Sequence, residues 1–161
     1  MTVRLYLDQN YLSGIVKRKP AFRELDPVLR AAVERGAVVV PEAPAHRLES
    51  APRPDLPLLG LLRELSHGER LGDEPGAREQ EIERRLSAVL DREFPQRRRR
   101  PSDRVDLRAL ALALPRCQLV TCDVHMAEVV RRTRLDLRHG VELFGGRRRD
   151  VDRLRRRLES L

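Results

Sequence analysis

The sequence predicts an α/β domain, a central parallel sheet with helices on both faces. Three observations carry that prediction. Short β-prone or continuously apolar runs at 3–7, 37–40 and 118–121 alternate with helical patterns from end to end. The run Ala37-Val38-Val39-Val40 has no polar residue at alternate positions, as in a strand buried on both faces. At 161 residues, the chain is long enough for a single domain burying roughly 70% of its unfolded surface.

Each element follows from local chemistry. Val3 to Leu7, bounded by Asp8, reads as the first strand. Asn10 is placed to cap a helix from about Tyr11 to Lys19, which Pro20 ends. Phe22, Leu25, Val28, Leu29, Ala32 and Val33 fall on one stripe of a helix over 22–35, stopped by Gly36. After the valine run, Pro44 opens a helix that carries His46 and Glu49 on its first turns. Pro52 and Pro54 break the chain before an apolar helix from Leu56 to Ser66. His67 to Ala77, with three glycines and a proline, predicts a mobile loop. A helix follows over Arg78 to Glu93, then a basic connector from Phe94 to Ser102. Ser102 or Asp103 caps a helix through Leu114, and Pro115 ends it. Gln118–Thr121 is a strand, Val124–Arg134 a helix, Gly140–Phe144 the last strand and Asp150–Leu158 the last helix. The expected organisation is one domain over 1–161 with a helical insertion at about 56–100.

Composition excludes several classes. No apolar run approaches the ~20 residues of a membrane span. The first ten residues hold no apolar stretch of the kind a secretion signal needs. A cytoplasmic protein is the expectation. Cys117 and Cys122 are too few to staple a domain of this size and read as reduced, buried side chains. Five aromatic residues and no Trp leave an aliphatic core and little capacity to stack on bases.

Charge is unevenly spread. Residues 95–161 hold 18 basic and 9 acidic side chains, whereas residues 1–94 hold 15 and 16. The excess collects in Arg97-Arg98-Arg99-Arg100, Arg147-Arg148-Arg149 and Arg155-Arg156-Arg157. Such asymmetry points to a polyanion, or to an acidic protein partner. The first two runs are the candidate nucleic-acid contacts.

Four acids carry the candidate chemistry. Asp8 directly follows the first strand, and Asp123 follows the strand ending at Thr121. In a parallel sheet both stand at carboxyl ends of strands, where open α/β folds bind ligands. Glu49 and Asp106 lie on helices that can deliver them to the same edge. Converging carboxylates repel and stay ionised only around a cation. Oxygen donors select Mg²⁺ or Mn²⁺, which activates water and neutralises phosphate charge.

Three segments resemble the PIN-domain family of metal-dependent nucleases, which mostly act on RNA. One is Leu5-Tyr6-Leu7-Asp8-Gln9-Asn10-Tyr11-Leu12, an Asp at a strand end with Asn two residues on. Another is the pair His46 and Glu49 after the valine run. The third joins Asp106-Leu107-Arg108-Ala109-Leu110-Ala111-Leu112-Ala113 to Leu119-Val120-Thr121-Cys122-Asp123. The resemblance implies a three-layer α/β/α sandwich and a divalent-metal-dependent endoribonuclease. It implies Asp8, Glu49, Asp106 and Asp123 as metal-binding catalytic acids, with Asp8, Asp106 and Asp123 as the metal ligands, and Asn10, His46, Asp103 and Thr121 in support. Glu42 rivals Glu49 for the second acid, and Asp103 rivals Asp106 for the third. Expected partners are RNA, an antitoxin or other acidic protein, and a second copy of the chain. Two alternatives share this fold: a toxin-type ribonuclease held by an antitoxin, and a non-catalytic scaffold that binds RNA or protein.

Overall fold

A computed structural model of the chain describes residues 1–55, 57–72 and 74–161. Among the described residues four strands form one all-parallel sheet: β1 (Val3–Tyr6), β2 (Val38–Val39), β3 (Leu119–Thr121) and β4 (Glu142–Phe144). Their order is β2-β1-β3-β4. The register sets Val3 against Val38, Leu5 against Leu119, Tyr6 against Val120, and Thr121 against Phe144. The chain therefore leaves β1 toward β2 on one side and returns to place β3 on the other.

The helices are α1 (Gln9–Val16), α2 (Leu25–Glu34), α3 (Pro44–Ser50), α4 (Leu58–Ser66), α5 (Ala77–Glu93), α6 (Pro101–Ala113), α7 (Val124–Thr133), α8 (Leu135–His139) and α9 (Arg148–Glu159). Strand side chains alternate between two apolar cores. Leu5, Leu119 and Phe144 join one core with α1, α2, α4 and α9. Tyr6, Val120 and Leu143 join the other with α5, α6 and α7. Helix, sheet and helix thus lie in three layers. The segment expected as an insertion adds a helix to each layer, α4 to one core and α5 to the other. Its expected first residue, Leu56, and Asp73 of the expected mobile loop lie outside the described residues.

Several expected boundaries move, each for a local reason. The single helix over 22–35 is instead a 3-10 turn at Pro20–Phe22 followed by α2. Pro27 then falls in the first turn of α2, where its missing N–H leaves no hydrogen bond unmade. The first helix is capped by Asp8, not Asn10: Asp8 Oδ1 accepts the Tyr11 N–H. α6 begins at Pro101 with Arg100 as its cap, two or three residues earlier than the expected cap. The loop over 67–77 is tied down at its centre. Glu42 N–H donates to the Glu69 carbonyl, Leu71 N–H donates to the Glu42 carbonyl, and Leu71 is buried. The short α8 has no counterpart among the expected elements; it starts after Arg134, a non-glycine residue with φ of 57°. Cys117 and Cys122 are free and buried. Among the described residues no helix is long and apolar enough to cross a membrane.

Candidate active site

The strand order creates the site. Where neighbouring strands send their connections in opposite directions, a crevice opens at their carboxyl ends. Here that point lies between β1 and β3. Asp8 stands just beyond β1 and caps α1; Asp123 stands just beyond β3 and caps α7, accepting the Met126 N–H at 2.7 Å. Both are helix caps and cavity acids at once. The Asp8 backbone N–H donates to Thr121 Oγ1 at 2.9 Å, and that hydroxyl donates to Asp8 Oδ1 at 2.8 Å. Thr121, fully buried, thus locks the first acid to the neighbouring strand. The Tyr11 and Thr121 bonds to Asp8 and the Met126 bond to Asp123 all fall on Oδ1.

The cavity has a volume of about 250 Å³ and is lined by all four expected acids, Asp8, Glu49, Asp106 and Asp123. Asn10 and Thr121 also line it. Burial is the main cause of the raised pKa values of three of them, Asp8, Glu49 and Asp106. Asp8 is pushed up to about 6 by burial, with the charge of Asp123 adding to the effect against the Thr121 hydrogen bond. Burial, then the charges of Asp123 and Asp8, lift Asp106 to about 7. Burial, then Asp106 and Asp8, lift Glu49 to about 7. Asp8, Glu49 and Asp106 are thus each raised by burial first and by a neighbouring carboxylate second.

The structure places the members of each rival pair differently. Asp103 does not line the cavity: it accepts both guanidinium arms of Arg97, at 2.7 and 3.0 Å, and the Arg100 N–H at 2.8 Å. The Arg97 hydrogen bond holds its carboxyl below the usual range. Asp106, one turn on, makes no hydrogen bond or ion pair among the described residues and faces the acids. Glu42 pairs with Arg47 and lines a different groove, whereas Glu49 lines the acidic cavity.

His46 stands outside the cavity. It is 1% exposed and stacked on Tyr6, with ring centroids 5.3 Å apart. Its Nδ1 accepts the Ala43 N–H at 2.9 Å, so the other nitrogen carries the proton and donates to the Leu7 carbonyl at 2.6 Å. The ring pins the start of α3, which bears Glu49, to the residue before Asp8.

The arginine runs are likewise divided. Arg97 is committed to Asp103, and Arg99 to Asp91 and Ser87. Arg98 and Arg100 are exposed and make no side-chain bond among the described residues. Arg147, Arg148 and Arg149 are exposed at the start of α9. They follow Gly146, where an added Cβ would lie 3.9 Å from the Asp123 Cα, so this run begins beside the acids. Sequence reasoning missed Tyr6, Gln9, Cys122 and Met126 as lining residues and read Ser102 only as a cap.

The donor set is all oxygen, which suits a hard divalent cation. Among the described residues no group of three His, Cys, Asp or Glu side chains is arranged to hold a metal ion as it stands. The cavity gathers the donors without preforming a chelate. Comparison with protein-family models, curated proteins and solved structures found no match to this chain.

Proposed function

We propose that the chain is a PIN-like, divalent-metal-dependent endoribonuclease. The observation that carries this reading is the convergence of Asp8, Glu49, Asp106 and Asp123, from four separate segments, on one cavity at the carboxyl edge of a parallel sheet. Asp8, Asp106 and Asp123 would hold the metal, with Glu49 beside them. A bound divalent ion supplies charge neutralisation at phosphate and a more acidic water. The chain's own residues do the rest. Thr121 and the Tyr11 N–H fix the Asp8 carboxylate. Glu49, pushed up to about 7, is matched to take a proton from an attacking water at neutral pH. Arg100 at the cavity and the exposed Arg147–Arg149 run would supply the charge that draws a polyanion to an acidic centre.

The test is cleavage of single-stranded RNA by purified protein with EDTA, Mg²⁺ or Mn²⁺. Cleavage that appears with metal and disappears in Asp123→Asn supports the reading; none with either metal overturns it. The exposed Arg98, Arg100 and Arg147–Arg149 also fit a second reading, a scaffold that binds RNA without cutting it. Binding without metal-dependent cleavage is the result that would select it.

A further inference from the structure

The run Arg97-Arg98-Arg99-Arg100 is uniform in sequence, but the structure gives its members different tasks. Arg97 and Arg99 are struts, bonded to α6 and α5 through Asp103 and Asp91. Of the four, only Arg100 lines the acidic cavity, and it is the one cation among the described lining residues. Its main chain is held on both sides by Asp103. The Arg100 N–H donates to Asp103 Oδ2 at 2.8 Å, and the Arg100 carbonyl accepts the Asp103 N–H at 3.0 Å. Asp103 is in turn clamped by Arg97. The backbone is fixed while the guanidinium stays free.

That freedom is informative. A cation at the mouth of a cavity with four carboxylates would pair with one of them if its task were structural. Arg100 forms no ion pair with Asp8, Glu49, Asp106 or Asp123. Ser102 lines the same mouth, exposed, with a hydroxyl to donate. A planar guanidinium with spare donors matches phosphate oxygens in a bidentate fork.

We infer that Arg100, with Ser102 beside it, forms a phosphate subsite that seats the backbone of a single-stranded nucleic acid at the mouth of the acidic cavity. The inference rests on the nuclease reading for its substrate class, but a binding measurement tests it separately. The probe is a fluorescein-labelled single-stranded RNA decamer, with anisotropy read on the full chain in EDTA and cleavage read in Mn²⁺. Arg100→Ala should weaken binding about tenfold, the loss expected for hydrogen bonds to a charged group. KM should rise by a similar factor, with kcat changed far less. The slope of log affinity against log salt should flatten by about 0.7, the share of one single-strand phosphate. Arg100→Lys, which keeps the charge and loses the fork, should fall between. Arg63→Ala, which removes an exposed charge on α4 in the other helix layer, should stay within about twofold of wild type.

Equal losses in Arg100→Ala and Arg63→Ala, or an Arg100→Ala protein that binds and cleaves as wild type does, would overturn the subsite alone. Wild-type binding that depends on Arg100 with no cleavage in any metal would keep the subsite and overturn the nuclease. Wild type that neither binds nor cleaves would overturn both, and wild type that cleaves without measurable binding would overturn the subsite alone.

Discussion

Asp106→Asn should stabilise the metal-free protein, and only above the acidic range. Asp106 has no hydrogen bond or ion pair to lose among the described residues, so the substitution removes charge and little else. Its carboxyl rises from 3.8 to about 7 on folding because of burial and the charges of Asp123 and Asp8. A folded pKa above the unfolded one means that the native state binds the extra proton. The fold is therefore unpenalised below about pH 4, loses stability as pH climbs through about 7, and changes no further above it. At about 1.36 kcal/mol per pH unit, the ceiling is about 4 kcal/mol. Solvent at the mouth of the cavity screens these charges, and about 1–3 kcal/mol is the expected gain at pH 8. For a domain of this size that is about 3–10 °C in Tm. The assay is thermal unfolding of wild type and Asp106→Asn in EDTA at pH 4.5 and 8. The curves should nearly coincide at the lower pH and separate at the higher one. Added Mn²⁺ should then raise the wild-type Tm more than the variant's, since only the intact acid set gains by binding. A variant no more stable than wild type at pH 8 would refute the reasoning, because Asp106 would then carry no electrostatic strain.

The other expectations concern neighbouring parts of the same edge. Asp8→Asn and Asp123→Asn should abolish cleavage with the circular dichroism spectrum intact, since Asn still caps α1 and α7; undiminished cleavage would remove either residue from the site. His46→Ala should cost about 2–4 kcal/mol in urea unfolding, because it leaves the Ala43 N–H and Leu7 carbonyl without a partner in the interior. It should also lower kcat as α3 loses its tie to β1; wild-type stability would show that the bridge is dispensable. Replacing Arg147, Arg148 and Arg149 together with Ser should flatten the salt dependence of RNA binding by about 0.7–0.9 for each phosphate that the run neutralises. An unchanged slope would assign that run to another partner.

Much of this edge can be read in the residue order, and what cannot is instructive. Strand runs closed by Asp8 or followed by Asp123 are visible because buried apolar stretches and cap residues are local signals. The order β2-β1-β3-β4 is not local: it depends on which helices cover which face, and it alone creates the crevice between β1 and β3. The first cap is misplaced by sequence because Asp8 and Asn10 are both competent caps two residues apart, and only backbone geometry chooses. Pro27 carries the signal that α2 starts late, and the stripe from Phe22 obscures it. Nothing in four consecutive arginines tells that two of them pair with Asp103 and Asp91. That distinction arises from the packing of α5 against α6.

The lock between Asp8 and Thr121 joins residues 113 positions apart. Closing a flexible loop of that length costs about 4 kcal/mol in length-dependent entropy alone. The pairing can form only when β3 is available, so on a ribosome, where synthesis is vectorial, the amino-terminal half emerges with Asp8 and Glu49 and neither partner acid. On the nuclease reading, a nascent chain surrounded by RNA is inert until Asp123 has been made and the sheet has closed. The same long closure makes activity a sensitive reporter of partial unfolding, because any excursion that separates β1 from β3 dismantles the site while most helices remain intact.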